Sequence, residues 1–161
     1  MTSFIHKSRK YSSYKGKVGK IAPNRINRRF NTSVPHQKIT TDTSEFKYYE
    51  VDSKGRMIIK KLYLDPFMDM FNGEILSFGI SQKPSAENIM SALDEAITIT
   101  NDCSYRRTFH SDRGWAYQMK AYSQKMKENR IFQSMSRKGN CHDNSVMENF
   151  FGILKLSLIH I

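Results

Sequence analysis

The sequence has little of what would staple, anchor or export it. Its 161 residues include two cysteines, Cys103 and Cys141, far apart and in no CxxC pairing. That usage fits a reduced, cytosolic protein and speaks against a zinc module. No apolar run approaches the roughly 18 residues needed to cross a bilayer, and the N-terminus lacks the apolar stretch of a secretory signal. No internal repeat is visible. Acidic residues are absent from the first 41 positions. What is present bounds the answer from the other side. Hydrophobic content of 39% with 12% aromatics is enough for a real core and excludes wholesale disorder. The length suits one ordinary domain plus an extension.

Of the net charge of +11, residues 1–41 supply ten units, from Lys7, Arg9, Lys10, Lys15, Lys17, Lys20, Arg25, Arg28, Arg29 and Lys38. The remaining 120 residues are nearly neutral, so a basic arm precedes a balanced body. An arm of this kind pairs naturally with phosphate, because each neutralised phosphate releases condensed counterions. Arg25, Arg28 and Arg29 are its candidate DNA contacts. Tyr11, Tyr14 and Phe30 are interleaved with the charges and allow base stacking without requiring it. A ribosome-like tail, a membrane-surface segment and a plain solvated linker remain open on charge alone.

Residues 1–38 have neither helical nor strand periodicity, contain Pro23 and Pro35, and read as an extended arm or linker. From Ile39 the pattern changes. Residues 39–51 are rich in Thr, Tyr and Phe and predict a strand. A turn at Ser53-Lys54-Gly55 leads to a second strand near 57–70, and Asn72-Gly73 marks a tight hairpin into a third at 74–81. Ala86, Ile89, Met90, Leu93, Ala96 and Ile97 form one helix face, with Ser85 as N-cap. A short strand at 106–111, a helix at 115–128, a strand at 130–135 and a last helix near 144–158 follow. The order β-β-β-α-β-α-β-α is that of a ribonuclease-H-like α/β fold, a mixed five-stranded sheet spanning residues 39–161.

Carboxylates on three of these elements suggest phosphoryl transfer. Two divalent cations about 3.5–4 Å apart can run such chemistry on DNA, one at the attacking and one at the leaving oxygen. Mg²⁺ needs only a few hard oxygen ligands. Asp112 sits where a short strand meets a Gly-containing turn, a usual place for a functional side chain, although a helix N-cap is the plain alternative. Asp42 lies within the first predicted strand, where a buried carboxylate is costly unless it binds something, and unremarkable on a solvent face. Glu148 lies at the edge of the apolar stripe of the last helix, and Lys155 is two turns further on the same face. Gly152 between them either admits DNA or permits close helix packing.

At this point several strings share one pattern. Thirty-five residues separate Asp112 from Glu148, and TDTSEFKY, KLYLDPFMDMFNGEI, FHSDRGWAYQ, SMSRKGNCHDNSVMENFFGILK and the arm segment YKGKVGKIAPN occur in order. From about residue 14 to Lys155 the chain resembles the second-frame transposase of bacterial insertion-sequence family three, with a retroviral-integrase-like core. The resemblance implies that Asp42, Asp112 and Glu148 are a DDE triad holding two Mg²⁺ or Mn²⁺ ions. It implies DNA cleavage and strand transfer in transposition, with Lys155 touching transposon-end DNA. The implied partners are transposon-end and target DNA and further copies of the chain, with no membrane, in the bacterial cytoplasm and at the nucleoid. The pattern departs from the family in lacking most of the upstream helix-turn-helix region and in fading after Lys155. The chain therefore reads as truncated at both ends, and an inactive fragment that binds DNA or a full-length transposase is the alternative function. A ribonuclease H acting on hybrids fits the motifs less well.

The remaining candidates carry plainer readings. Asp143 is expected to cap the last helix and Asp69 to be structural. Ser134, Arg137, Lys138 and Gly139 read as a basic loop near the site, with Arg137 and Lys138 as DNA contacts, and a solvated loop as the alternative. Adjacent Cys141 and His142, with His110, lack the second pair a zinc site needs. Trp115 suits either base stacking or the core.

Overall fold

A mixed sheet organises the computed structural model, which describes residues 19–159. The arm residues Lys7, Arg9, Lys10, Tyr11, Tyr14, Lys15 and Lys17 lie outside the described residues. The strands are β1 (Lys38–Thr41), β2 (Ser44–Val51), β3 (Met57–Asp69), β4 (Ile75–Ser81), β5 (Thr108–Ser111) and β6 (Phe132–Met135). The helices are α1 (Ala86–Ile99), α2 (Lys120–Glu128) and α3 (Ser145–Ile159), with 3-10 turns at Trp115–Gln118 and Cys141–Asn144. Local signals account for much of this. Gly73 takes a φ of +75° at the β3–β4 hairpin, and the Ser85 hydroxyl accepts from Asn88 N at 3.2 Å to cap α1.

β1 and β2 run along the same edge of β3 in one register, Ile39 opposite Asp69 and Ser44 opposite Leu64. They are the single strand expected at 39–51, interrupted at Asp42 and Thr43. Continued through the gap, that register sets Asp42 opposite Pro66. Proline has no N–H to give a ladder, and Thr43 N instead donates to Asp42 Oδ1 at 2.8 Å. β4 pairs with the other edge of β3, while β5 and β6 continue the sheet in parallel from β1. Counting β1 and β2 as one line, the sheet is the five-stranded mixed sheet of the ribonuclease-H-like class. The helix expected at 115–128 also breaks. Met119 is extended at ψ 144°, and the Gln118 carbonyl accepts from Lys20 N of the arm rather than continuing a helix.

Alternation along the strands divides the core in two. Ile39, Phe67 and Phe109 face α1 and α2 and join Leu93, Ala96, Tyr117, Tyr122 and Met126 in the larger cluster. Met68 faces the other way, onto Met147 and Phe151 of α3. α1 and α2 therefore cover one face and α3 the opposite one. β6 is the edge strand, and part of residues 19–37, a stretch that holds neither helix nor strand, lies against it. Met135 N donates to Pro23 O at 3.4 Å, Arg25 N donates to Ser134 Oγ at 2.8 Å, and Ala22 and Ile26 are buried. The arm thus masks an edge that would otherwise offer unpaired backbone groups.

The two faces of the sheet predict unequal responses to truncation. Phe109→Ala, in the larger core against Phe67, should cost about 3–5 kcal/mol in urea unfolding. Phe78→Ala, at a side chain 58% exposed, should cost under about 1 kcal/mol.

Candidate active site

The three carboxylates reach one region because a short polar turn ties their elements together. Thr40, next but one before Asp42, donates from Oγ1 to Asn144 Oδ1 at 2.6 Å, and Asn144 Nδ2 donates to Thr41 O at 3.2 Å. His110, two residues before Asp112, places Nε2 2.8 Å from the Asp143 carbonyl. A carbonyl only accepts, so Nε2 carries the proton and Nδ1 accepts from Ser134 Oγ at 2.8 Å. Burial holds the His110 pKa down at about 4, so the ring is neutral and structural. Asn144 leads into α3, and Glu148 follows in the first turn of that helix. The ends of β1 and β5 and the start of α3 are thereby bolted to the 143–144 turn.

Asp42 and Asp112 line one cleft of about 220 Å³ with Thr43, Asp65, Trp115 and Tyr117. Desolvation pushes the Asp42 carboxyl well up, and the charges of Asp112, Glu148 and Asp65 push it further. Desolvation raises Asp112, opposed by Gly114 N, which donates to Asp112 Oδ1 at 2.7 Å. Glu148 is raised by desolvation and lowered by His142, on an exposed side chain of α3. Among the described residues no group of three His, Cys, Asp or Glu is drawn up as a metal cage. Asp42 and Asp112 each turn one oxygen back onto a backbone N–H, as bare carboxylates of like charge would. The donor set nonetheless suits a hard divalent cation, since these are oxygen ligands whose mutual repulsion a cation would relieve.

The other expected residues are distributed unequally. Lys155 is exposed on α3 with Nζ 5.4 Å from the Phe46 ring centroid. A Cβ on Gly152 would meet nothing within 4 Å, so close packing within the chain does not explain that glycine. Arg137 and Arg28 both turn to Asp143. Arg137 donates to it from its backbone N at 2.8 Å, Nε at 2.9 Å and a terminal nitrogen at 2.8 Å, and Arg28 Nε donates at 3.1 Å. Asn24 Nδ2 donates at 3.0 Å. Lys138 is exposed in the loop and carries no ion pair among the described residues. Arg25 and Arg29 stand away from this cluster, Arg25 over the Phe132 ring and Arg29 exposed beside Lys38. Trp115, 38% exposed at the cleft, is not a core residue.

Two expectations need correction. Asp143 does not cap α3, because its fully buried carboxylate is engaged by two arginines and an asparagine, and Arg137 first, with Arg28, holds its pKa below the usual carboxylate range. Ser134 does not belong with the basic loop but, as the strand expected at 130–135 has it, is a buried member of β6 bonded to His110 and the arm. Asp69 is structural as expected, accepting from His36 N and Phe71 N. The sequence reading missed Asp65, a buried carboxylate that accepts from Thr43 Oγ1 beside Asp42. Only the register that sets residue 65 opposite 43 could have found it. The bolts Thr40 and Asn144, 104 residues apart, carry no local signal.

With the geometry in place, comparison with known proteins gives a consistent result. Residues 33–141 match the family model described as integrase core domain. The chain is 42% identical over 155 residues, 96% of its length, to a putative transposase for insertion sequence element IS150 from Escherichia coli K12, covering 51% of that protein. It is 44% identical over 149 residues to a transposase-like protein of Haemophilus influenzae, covering 92% of this chain and 64% of the relative. The chain therefore spans about half to two thirds of these relatives. Among solved structures it is similar to a chain of the simian T-cell lymphotropic virus intasome, with TM-score 0.63, 20% identity, and coverage of 88% and 45%. It is also similar to the HTLV-2 integrase catalytic core domain in complex with magnesium, with TM-score 0.55, 20% identity, and coverage of 76% and 69%.

The Asp143 hub makes a prediction of its own. Asp143→Asn leaves Arg28 and Arg137 without their counter-charge and should cost about 2–3 kcal/mol at neutral pH. A carboxyl whose folded pKa is depressed stabilises above the unfolded value and loses that contribution as pH falls through the folded one. The gap between parent and variant, followed by thermal melts, should therefore close as pH drops below the ordinary 3.8.

Proposed function

The chain belongs to the integrase core domain family, alongside insertion-sequence transposases, and on that footing we propose that it cuts and joins DNA in transposition through Asp42, Asp112 and Glu148. The observation that carries this reading is electrostatic. Asp42 is pushed up by burial and by the charges of Asp112, Glu148 and Asp65 together, an arrangement that costs stability without repaying it in packing. Perturbed carboxylates gathered in a cleft are the mark of a functional site rather than of a scaffold.

The three carboxylates would hold Mg²⁺ or Mn²⁺, in a pair of sites, each supplying a polarised water or a steadied leaving oxygen to phosphodiester cleavage. The chain's own residues supply the rest. Gly114 N and Thr43 N fix one oxygen of Asp112 and of Asp42, two residues that line the cleft, and would leave the other oxygen of each for a cation. The 143–144 turn sets the height of α3, and with it Glu148, against both strand ends. Exposed Gly152 leaves room on α3 for a DNA strand beside Lys155. Lys155, Arg137, Lys138, Arg25, Arg28 and Arg29 are the proposed phosphate contacts. Arg28 and Arg137 would offer only the donors that Asp143 leaves free. The products expected are a 3′ hydroxyl and, after its attack on a target phosphodiester, a joined strand. The chain would act on transposon-end and target DNA at the bacterial nucleoid and as a multimer, a reading in keeping with the dimeric form of the HTLV-2 integrase core to which it is similar.

Glu148→Gln should abolish Mn²⁺-dependent nicking of a transposon-end duplex while leaving its affinity for that duplex within about twofold, since binding and chemistry use different groups. Unchanged nicking would sink the assignment. In parallel, Mn²⁺ should raise the melting temperature of the parent and not of Asp112→Asn, as binding to the folded state alone requires. A melt indifferent to Mn²⁺ in the parent would favour the reading of a DNA-binding fragment without turnover. Gly114→Ala tests the preorganisation directly. A Cβ there would stand 2.9 Å from Asp112 Oδ1, and nicking should fall by about 10–100-fold.

A further inference from the structure

Around hollows that share no lining residue with the cleft, α2 and its surroundings carry positive charge that, Arg25 apart, the reading above does not use. Lys20 of the arm joins Lys120 and Lys127 of α2 in lining a hollow of about 310 Å³. Lys127 also borders a second hollow of about 620 Å³, with Arg106, Arg107 and Arg130. Beyond it Arg106 and Arg25 both stack on the Phe132 ring, 3.6 and 4.4 Å from its centroid. Lys20, Lys120, Lys127, Arg130, Arg106 and Arg25 are all exposed. None of these six takes part in an ion pair among the described residues.

Two features mark this strip as more than a solvated face. Lys20 and Lys127, 107 positions apart in the sequence, are brought together by the fold, and contact with Lys127 lowers the Lys20 pKa. Fold stability does not benefit from like charges pressed together. Arg130 holds φ at +53°, a left-handed position after α2 where glycine is favoured and a charged side chain is a costlier choice. Lys120 and Lys127 are seven residues apart on one helix, about 10 Å along its axis. That span matches about three phosphates of one strand of duplex DNA, at about 3.4 Å each.

We propose that the strip from Lys120 through Lys20 and Lys127 to Arg130 and Arg106 is a second docking surface for duplex DNA, holding the phosphodiester backbone of a segment outside the catalytic cleft. The proposal rests on the reading of the chain as a DNA-processing protein, and it assigns DNA contact to residues of α2 and its flanking turns. One duplex can lie on the strip while another strand occupies the cleft. A protein that joins two DNA segments needs such a division.

The test is a metal-free binding titration of the full chain with EDTA present, using a labelled random-sequence duplex over a range of salt. The Lys20→Gln/Lys127→Gln double variant should bind about tenfold more weakly at low salt, with a slope of log K against log salt shallower by about two. Its melting temperature should equal or exceed that of the parent, because a repulsion has been removed. Lys54→Gln/Lys83→Gln, which removes the same charge from exposed positions elsewhere, should bind nearly as the parent does. Parental affinity and slope in the first variant would overturn the proposal. So would an equal loss in the second. EDTA keeps cations from the carboxylates, so failure here leaves the cleavage reading standing, and failure of Glu148→Gln to stop nicking leaves this one standing.

Discussion

The hydrogen bonds of Asp143 and Asn144 are the constraint on which the rest of the site depends. Three carboxylates on three elements gain nothing from approaching one another, and their repulsion must be borne by neutral contacts nearby. Asn144 supplies two of these to β1, and the Asp143 carbonyl supplies one to His110 on β5. All three are buried, where a hydrogen bond is stronger and an unmade one dearer than at the surface. The turn is held from outside by the Asp143 carboxylate, which gathers Arg137, Arg28 and Asn24. The bonds to β1 and β5 are neutral, while the charged ones run from the buried Asp143 carboxylate to arginines about half exposed.

The same economy explains the break between β1 and β2. An uninterrupted strand would commit the backbone at Asp42 and Thr43 to the ladder. Pro66 opposite Asp42 withholds a donor, and Thr43 is released to bond both Asp42 and Asp65. Asp65 is thereby kept buried with a donor, while its charge adds to the pressure on Asp42. The buried Thr41 hydroxyl, one residue earlier, has no hydrogen-bond partner. The strand end is consequently a place of unsatisfied polarity and unrelieved charge, separated by one face of the sheet from a well-packed apolar core.

Much of this could be read from the residues, and the reason differs by level. Element order followed from periodicity, since the α1 face and the Asn72-Gly73 hairpin are signals carried by a few adjacent residues. The candidacy of Asp112 followed from its place at a strand end, that of Asp42 from a carboxylate within a strand, that of Glu148 from the edge of a helix's apolar stripe, and that of all three from motif resemblance. What was illegible depends on partners distant in sequence. Asp143 looked like a cap because a cap is the local solution, and its true partners lie up to 119 residues away. Helix propensity across 115–128 could not reveal that the arm would claim the Gln118 carbonyl. Ser134 fell within the strand expected at 130–135, and grouping it with the basic loop went wrong because its partners, His110 and the arm, are distant in sequence.

The arm is the least regular part of the described chain and the part most altered by its context. Read as sequence it is a run of cations awaiting phosphate. In the fold its residues differ, because each side chain is already placed by what its neighbours require. Arg28 is turned inward by the buried Asp143, Arg25 is laid flat on Phe132, and Lys20 is pressed against Lys127. The arm's backbone meanwhile shields β6 and ties Gly19 and Lys20 to Gln118. Removing the arm would thus uncover the sheet edge and loosen the turn before Glu148 together. Its contribution to any DNA affinity cannot be separated from its contribution to site geometry by truncation, only by changing single charges whose structural partners are known. Lys20 is such a charge, because its backbone bonds to Gln118 and its ammonium meets another cation, Lys127.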